Sequence, residues 1–274
     1  MQESYLKEQG LYYKTNTFES NRLTLVFVHG LMGSSSAWLP YEKIFENKYN
    51  LLTFDIRGHG KSKKFPNYSD YEIKNFADDL HNLITHLGIS KFILVSHSFG
   101  SLIALEYLKT WQESVTACVF NSPEIYLYEN FITKIIRSTL GILTGILCIL
   151  PFNLKPRGHV DYNKHKNSTD WNIKRNLADI KNTGLHSHLY ALRQSLNQKL
   201  EHFLEKINMP TLIIHGEKDS LVPFKNAIAM SKKIKNSEFV SIQNIDHQTV
   251  HNAPKIISGA IESFIAKNKK NLLY

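Results

Sequence analysis

The segment Phe92–Gly100, FILVSHSFG, passes from apolar residues into Ser-His-Ser-Phe-Gly and then into a helical run from Ser101. Phe92–Ser96 reads as a buried strand because it is apolar, partly β-branched and bounded by turn residues. Ser98 therefore lies between a strand and a helix, with small residues two places either side, Ser96 and Gly100. This is the arrangement of a nucleophile elbow. So tight a turn demands strained dihedrals at Ser98, and bulky side chains at 96 and 100 would clash. It would present the hydroxyl at the C-terminal edge of a sheet, beside the positive end of a helix. Paired with a base, such a hydroxyl can attack a carbonyl carbon. A serine in a strand-to-helix turn can equally be a cap or turn residue, so its surroundings must discriminate.

The elements that would position it can be read from periodicity. Buried strands are expected at Leu23–His29, Leu51–Asp55, Phe92–Ser96, Val115–Phe120 and Thr211–His215, with a weaker one at Phe239–Ile242 and an edge strand at Leu11–Phe18. Tyr71–Leu87 places Ile73, Phe76, Leu80, Leu83, Ile84 and Leu87 at helical spacing, with Asp70 as N-cap and Gly88 as its stop. Leu102–Trp111 and Pro254–Ala266 repeat the helical pattern. Strands alternating with helices in this way predict an α/β fold, a mostly parallel sheet covered on both faces.

Four polar segments follow these strands in order. His29-Gly-Leu-Met-Gly33 follows the first, Asp55-Ile-Arg-Gly-His-Gly-Lys-Ser62 the second, and Ser96–Gly100 the third. His215-Gly-Glu-Lys-Asp219-Ser-Leu-Val-Pro223 follows TLIIH, and farther on stands Asn244-Ile-Asp-His-Gln-Thr-Val-His251-Asn-Ala-Pro254. Together these motifs resemble the α/β-hydrolase superfamily over roughly residues 10–123 and 208–266. The resemblance implies Ser98 as nucleophile, Asp219 as the acid and His247 as the base, in that chain order. It also implies backbone N–H donors at Leu31 and Phe99 for an oxyanion, a structural loop at 55–62 that includes His59, and no cofactor. Glu217 is assigned to the surface.

The match departs at three positions. Ser96 stands where the elbow usually has glycine, and Ser101 where a second glycine is frequent. Asp246 replaces the glycine usual before the histidine, and His251 is the other candidate base. Members of the fold that open epoxides or displace halide carry an aspartate at the elbow, so Ser98 points to acyl transfer instead.

Between Glu124 and Lys206 the strand pattern stops, which predicts a helical cap insert at 124–207 within a core of 1–123 and 208–274. Phe131–Phe152, FITKIIRSTLGILTGILCILPF, is uncharged from Ser138 to Leu154. It falls short of the roughly 20 apolar residues of a membrane span. It reads as a cap helix forming an apolar pocket, or as a helix docked on a membrane with Lys134, Arg137 and Lys155 at the headgroups. His186 and His188 are two apart and do not share a helix face, which argues against a metal site.

Net charge is +9, but the basic residues are scattered and no nucleic-acid module surrounds them. The hydrophobic share of 42% suits a folded globular chain. Cys118 and Cys148 read as buried thiols of a reducing compartment, and the polar start of the chain lacks the features of a secretory signal. The expectation is a cytoplasmic serine hydrolase of carboxylic esters, with apolar or lipid-like acyl groups. Acyl transfer, C–C bond hydrolysis and non-catalytic ligand binding are the alternatives.

Overall fold

The computed structural model describes residues 1–125, 131–149, 153–198 and 200–272. Among these, eight strands form one sheet: β1 (Gln2–Leu6), β2 (Leu11–Thr15), β3 (Thr24–Val28), β4 (Asn50–Phe54), β5 (Phe92–His97), β6 (Val115–Asn121), β7 (Thr211–Gly216) and β8 (Ser237–Ile242). Their spatial order is β1-β2-β4-β3-β5-β6-β7-β8. The β1–β2 and β2–β4 pairings are antiparallel and the others parallel. From β3 the chain steps outward to β4, then returns to pair β5 on β3's other side. That reversal opens a crevice at the C-terminal ends of β3 and β5, where α/β sheets bind ligands.

Alternation along each strand sorts side chains into two cores. Val26, Val28, Leu94, Cys118, Phe120 and Ile213 join one apolar cluster, with α2 (Ile73–His86) and α3 (Phe99–Trp111) on that face. Leu25, Phe27, Ile93, Val95, Val119 and Ile214 join the other. That second face is covered by α1 (Leu39–Phe45) and the long C-terminal helix, through Tyr41, Phe45, Ile257 and Phe264. Both faces are therefore shielded, as the near-continuous apolar strands require.

Three expectations are corrected. Asp70 does not cap α2; its carboxylate accepts the Asn67 N–H at 3.0 Å and caps a short 3-10 turn at Tyr68–Tyr71, and α2 begins two residues later than that turn ends. Leu11–Phe18 is not an edge strand: β2 ends at Thr15 and pairs on both sides, and the edge is β1, which the polar sequence concealed because only Leu6 in it is buried. Cys118 is buried but Cys148 is exposed, because it falls just past the last turn of a helix, where the chain faces water.

Between β6 and β7 come three longer helices, α4 (Phe131–Leu147), α5 (Ile173–Thr183) and α6 (Leu185–Leu196). The side chains of residues 131–134, and Pro151 and Phe152, lie outside the described residues. α6 packs on both α4 and α5. Beyond β7 follow α7 (Phe224–Lys233), α8 (Thr249–Asn252) and α9 (Pro254–Leu272).

Candidate active site

Ser98 joins β5 to α3 with φ 51° and ψ −121°, a region that side chains rarely occupy. Such strain costs about 1–3 kcal/mol and persists only where the surroundings impose it. Gly100 is one such constraint: a Cβ there would lie 2.6 Å from the Val28 carbonyl oxygen. The two serines that depart from the superfamily pattern pair with each other, Ser96 Oγ lying 3.2 Å from Ser101 Oγ. Small hydroxyls thus replace small glycines without opening the turn.

Three loops converge on this serine. His247 Nε2 lies 2.7 Å from Ser98 Oγ, and His247 Nδ1 lies 2.7 Å from Asp219 Oδ2. Because only Nδ1 faces a carboxylate, Nδ1 carries the proton and Nε2 is left to accept one from Ser98. Asp219 is fixed in turn: its Oδ1 accepts the Leu221 and Val222 N–H groups at 2.9 and 2.8 Å. Gly216 lets the histidine loop come close, since a Cβ there would lie 2.4 Å from the Ile245 carbonyl oxygen.

Burial by itself would lower the His247 pKa. The hydrogen bond and charge of Asp219, with the charges of Asp170 and Glu124, outweigh it and leave His247 above an ordinary histidine. His251, the other candidate base, is instead stacked on Tyr162 with ring centroids 3.9 Å apart. Burial and the nearby Arg175 lower its pKa to about 3, so it stays neutral. His247 is the histidine at Ser98. Glu217 is exposed, as expected of a surface residue.

The loop after β3 lies against the elbow: a Cβ on Gly30 would stand 3.1 Å from Ser98 Cβ. His29 Nε2 accepts the Ile56 N–H at 3.1 Å, so its Nδ1 bears the proton and donates to the Gly30 carbonyl at 2.8 Å. That bond turns the Gly30 carbonyl toward His29, and among the described residues the Leu31 N–H has no acceptor. The Phe99 N–H opens α3 and has no partner in its own helix. These are the two amides expected to serve an oxyanion.

The 55–62 segment is structural. Asp55 accepts the Ser35 and Lys61 N–H groups, both at 2.7 Å, and Arg57 grips Asp79 with two bonds of 2.7 Å. His59 is buried with Nδ1 on the Arg57 carbonyl, far from the role of a base.

One residue at the candidate site was not assigned to it from the sequence. Asp170, buried and just ahead of α5, accepts the His247 N–H at 3.0 Å through Oδ1. Its Oδ2 accepts the Ser220 N–H and Oγ–H at 3.1 and 2.8 Å. A single carboxylate from the inserted region therefore holds the loops of both the base and the acid. Its own N–H donates to Asp246 Oδ2 at 3.0 Å, which explains the aspartate where the superfamily pattern has glycine. The only hint available beforehand was that replacement.

Residues 24–254 match the family of the alpha/beta hydrolase fold. The chain belongs to that family. It is 24% identical over 261 residues to a Haemophilus influenzae protein provisionally named esterase/lipase, covering 90% of this chain and 85% of that one. Similarity to epoxide hydrolase 1 of Caenorhabditis elegans is 23% over 284 residues, covering 96% of this chain and 69% of the relative. A thermophilic esterase from Thermogutta terrifontis, solved with malate bound, superposes with a TM-score of 0.72 at 19% identity, covering 94% and 93% of the two chains. Likeness at that identity shows the fold.

A cavity of about 270 Å³ opens beside this hydrolase's Ser98. Its lining is mixed rather than apolar. Leu31, Met32, Leu192, Leu221 and Val222 face it, but so do Tyr162, Arg175, Asp179, His188 and Glu124. Burial raises Asp179 to about 6 against the pull of Arg175, and burial also raises Glu124. Among the described residues no cluster of three or more His, Cys, Asp or Glu side chains is arranged to hold a metal. His186 and His188 diverge: His186 donates to the Leu147 carbonyl and His188 lines the cavity.

Proposed function

We propose that this α/β hydrolase cleaves carboxylic esters through an acyl-enzyme on Ser98. The observation that carries the reading is the relay from Ser98 Oγ through His247 to Asp219, with both links at 2.7 Å, built on a strained elbow. His247 Nε2 removes the Ser98 proton as Oγ attacks the ester carbonyl. The Leu31 and Phe99 N–H groups receive the oxygen as it gains charge, each worth about 3 kcal/mol in the transition state. The C–O bond breaks, and His247 passes its proton to the departing alcohol. Water then attacks the acyl-enzyme, giving its proton to His247, and Ser98 leaves with that proton restored. A serine at this point forms an acyl ester, whereas epoxide opening through the same elbow needs a carboxylate.

Residues 124–207 act in this reading as a cap over the core, supplying Tyr162, Asp170, Arg175 and Leu192 to the cavity wall. At about 270 Å³ the cavity stands near the small end of ligand pockets, roughly 300–1,000 Å³, which suits a short acyl group better than a fatty acyl chain. A cytoplasmic setting is part of the same proposal, and the free, exposed thiol of Cys148 supports it.

The test is hydrolysis of p-nitrophenyl esters from acetyl to palmitoyl, with Ser98→Ala beside wild type. Turnover that vanishes in the variant supports the reading. Equal rates in the two proteins, or no turnover of any ester by the folded wild type, would sink it.

A further inference from the structure

The outer corner of the inserted helices is built unlike the rest of the surface. His186 Nε2 donates to the Leu147 carbonyl at the end of α4 at 3.0 Å, and Asn182 Nδ2 donates to the Gly158 carbonyl at 3.0 Å. The Arg157 guanidinium donates to the Lys181 carbonyl. These bonds gather the end of α4, residues 153–158, the end of α5 and the start of α6 in one place. Ile146 is 52% exposed there and Ile149 78%, with Leu154 and Leu185 also exposed. Leaving so many aliphatic side chains in water is unfavourable by roughly 25 cal/mol per Å², and clusters of them mark contact surfaces.

Cations surround this apolar corner. Lys155, Arg157 and Lys181 are exposed. Lys64 arrives from the core and is itself buried; its Nζ donates to the Asn182 and Thr183 carbonyls and fixes the end of α5. Among the described residues, carbonyls rather than carboxylates are thus the partners of Lys64 and Arg157. Of the acids of the same insert, Asp170 and Asp179 are buried, and the exposed Asp161 lies 4.0 Å from Lys164. A notch of about 30 Å³ opens between Lys64, Arg157 and Leu185. The first N–H groups of α6 lie beside it and add to the positive potential.

We propose that this corner docks on the surface of an anionic lipid bilayer. Ile146, Ile149, Leu154 and Leu185 enter the headgroup boundary, and Lys155, Arg157 and Lys181 face lipid phosphates. The proposal goes beyond ester hydrolysis and does not depend on it. A bilayer supplies both an apolar layer and negative charge, which is what amphipathic basic surfaces recognise. A second copy of the chain fits less well, because a two-fold interface sets the same patch against itself and brings these cations face to face. Among the described residues no helix is long and apolar enough to cross a membrane, so the contact is peripheral. Arg137 takes no part: its Nη2 donates to the Leu196 carbonyl at 2.7 Å, and the side chain of Lys134 lies outside the described residues.

The test is co-sedimentation of the full chain with vesicles of phosphatidylcholine alone, or with roughly a third phosphatidylglycerol added. The wild type should bind the anionic vesicles, ignore the neutral ones, and be released as salt rises from about 0.1 to about 0.5 M. Lys155→Ala and Lys181→Ala should each weaken binding by about fivefold, and Ile149→Glu by more than about tenfold. All three positions are exposed, so circular dichroism and thermal melting should be unchanged and separate lost docking from lost fold. Absence of binding to anionic vesicles, equal binding to neutral ones, or variants that bind like wild type would overturn the proposal. So would light scattering that shows a dimer which Ile149→Glu splits, since the corner would then be occupied by a second copy.

Discussion

Replacing Asp170 by asparagine probes how the inserted region controls the candidate triad. The carbonyl oxygen of the substituted amide can still accept the His247 N–H, and its NH2 group can donate to Ser220 Oγ. Two things cannot be kept: an acceptor for the Ser220 N–H, now 3.1 Å from Oδ2, and the negative charge. Losing one charge-assisted bond and leaving a donor unpaired costs about 1–3 kcal/mol. For a domain of this size that is a melting-point drop of roughly 2–5 °C. The loops of Asp219 and His247 would lose their shared tie, and a misplacement near 1 Å can reduce turnover about a hundredfold. Asp170 is also one of the charges holding the His247 pKa up, so the rising limb of kcat/KM should move to lower pH. The assay is a pH–rate profile on p-nitrophenyl acetate for both proteins, with melting curves alongside. KM should change little, because the damage is to alignment. A folded variant with wild-type kcat and an unmoved acid limb would refute the positioning role of Asp170.

The wild-type profile itself should rise with a midpoint above the ordinary histidine value of about 6.5, because His247 must lose its proton to act and its pKa is raised. The same shift stabilises the fold below the unfolded histidine pKa, and that contribution is lost as pH rises through the folded value; a melting series from acid to neutral pH checks the sign. Gly100→Ala should abolish activity and reduce soluble yield, since its Cβ would press within 2.6 Å of a β3 carbonyl; recovery of a folded, active variant would contradict the close approach. Among chain lengths, acetyl and butyryl esters should outpace palmitoyl by more than about a hundredfold on cavity size, read as kcat/KM. A thiol reagent should modify one cysteine per folded chain, the exposed Cys148, and reach the buried Cys118 only after denaturation.

The parts of the fold legible in the sequence are those where one physical demand dominates. β3, β5, β6 and β7 are buried on both faces, so their apolar runs stand out, and Gly100 and Gly216 mark backbone contacts that no side chain could survive. β1 was hidden because an edge strand with mostly exposed residues shows no apolar run. Asp70 shows the ordinary ambiguity of a capping residue, which serves whichever turn begins nearest. At the site, Ser98, Asp219 and His247 follow strands and could be ordered along the chain. Asp170 could not, because it acts across 77 residues of sequence on the His247 N–H, and no spacing rule connects them. The mixed cavity lining was equally hidden: Arg175 and Asp179 sit on a helix whose outer residues, Ile173 and Leu177, are apolar and exposed. Read alone, that helix inverts the usual pattern of apolar inside and polar outside.

The reaction of Ser98 itself is the most direct measurement. Wild type, Ser98→Ala and His247→Asn would be treated with a fluorophosphonate probe at neutral pH and examined by intact mass and peptide mapping. Stoichiometric labelling confined to Ser98, absent in the alanine variant and at least about a hundredfold slower without the His247 base, is the expected result. Folded wild type that remains unlabelled, or a label carried by another residue, would contradict Ser98 as the nucleophile.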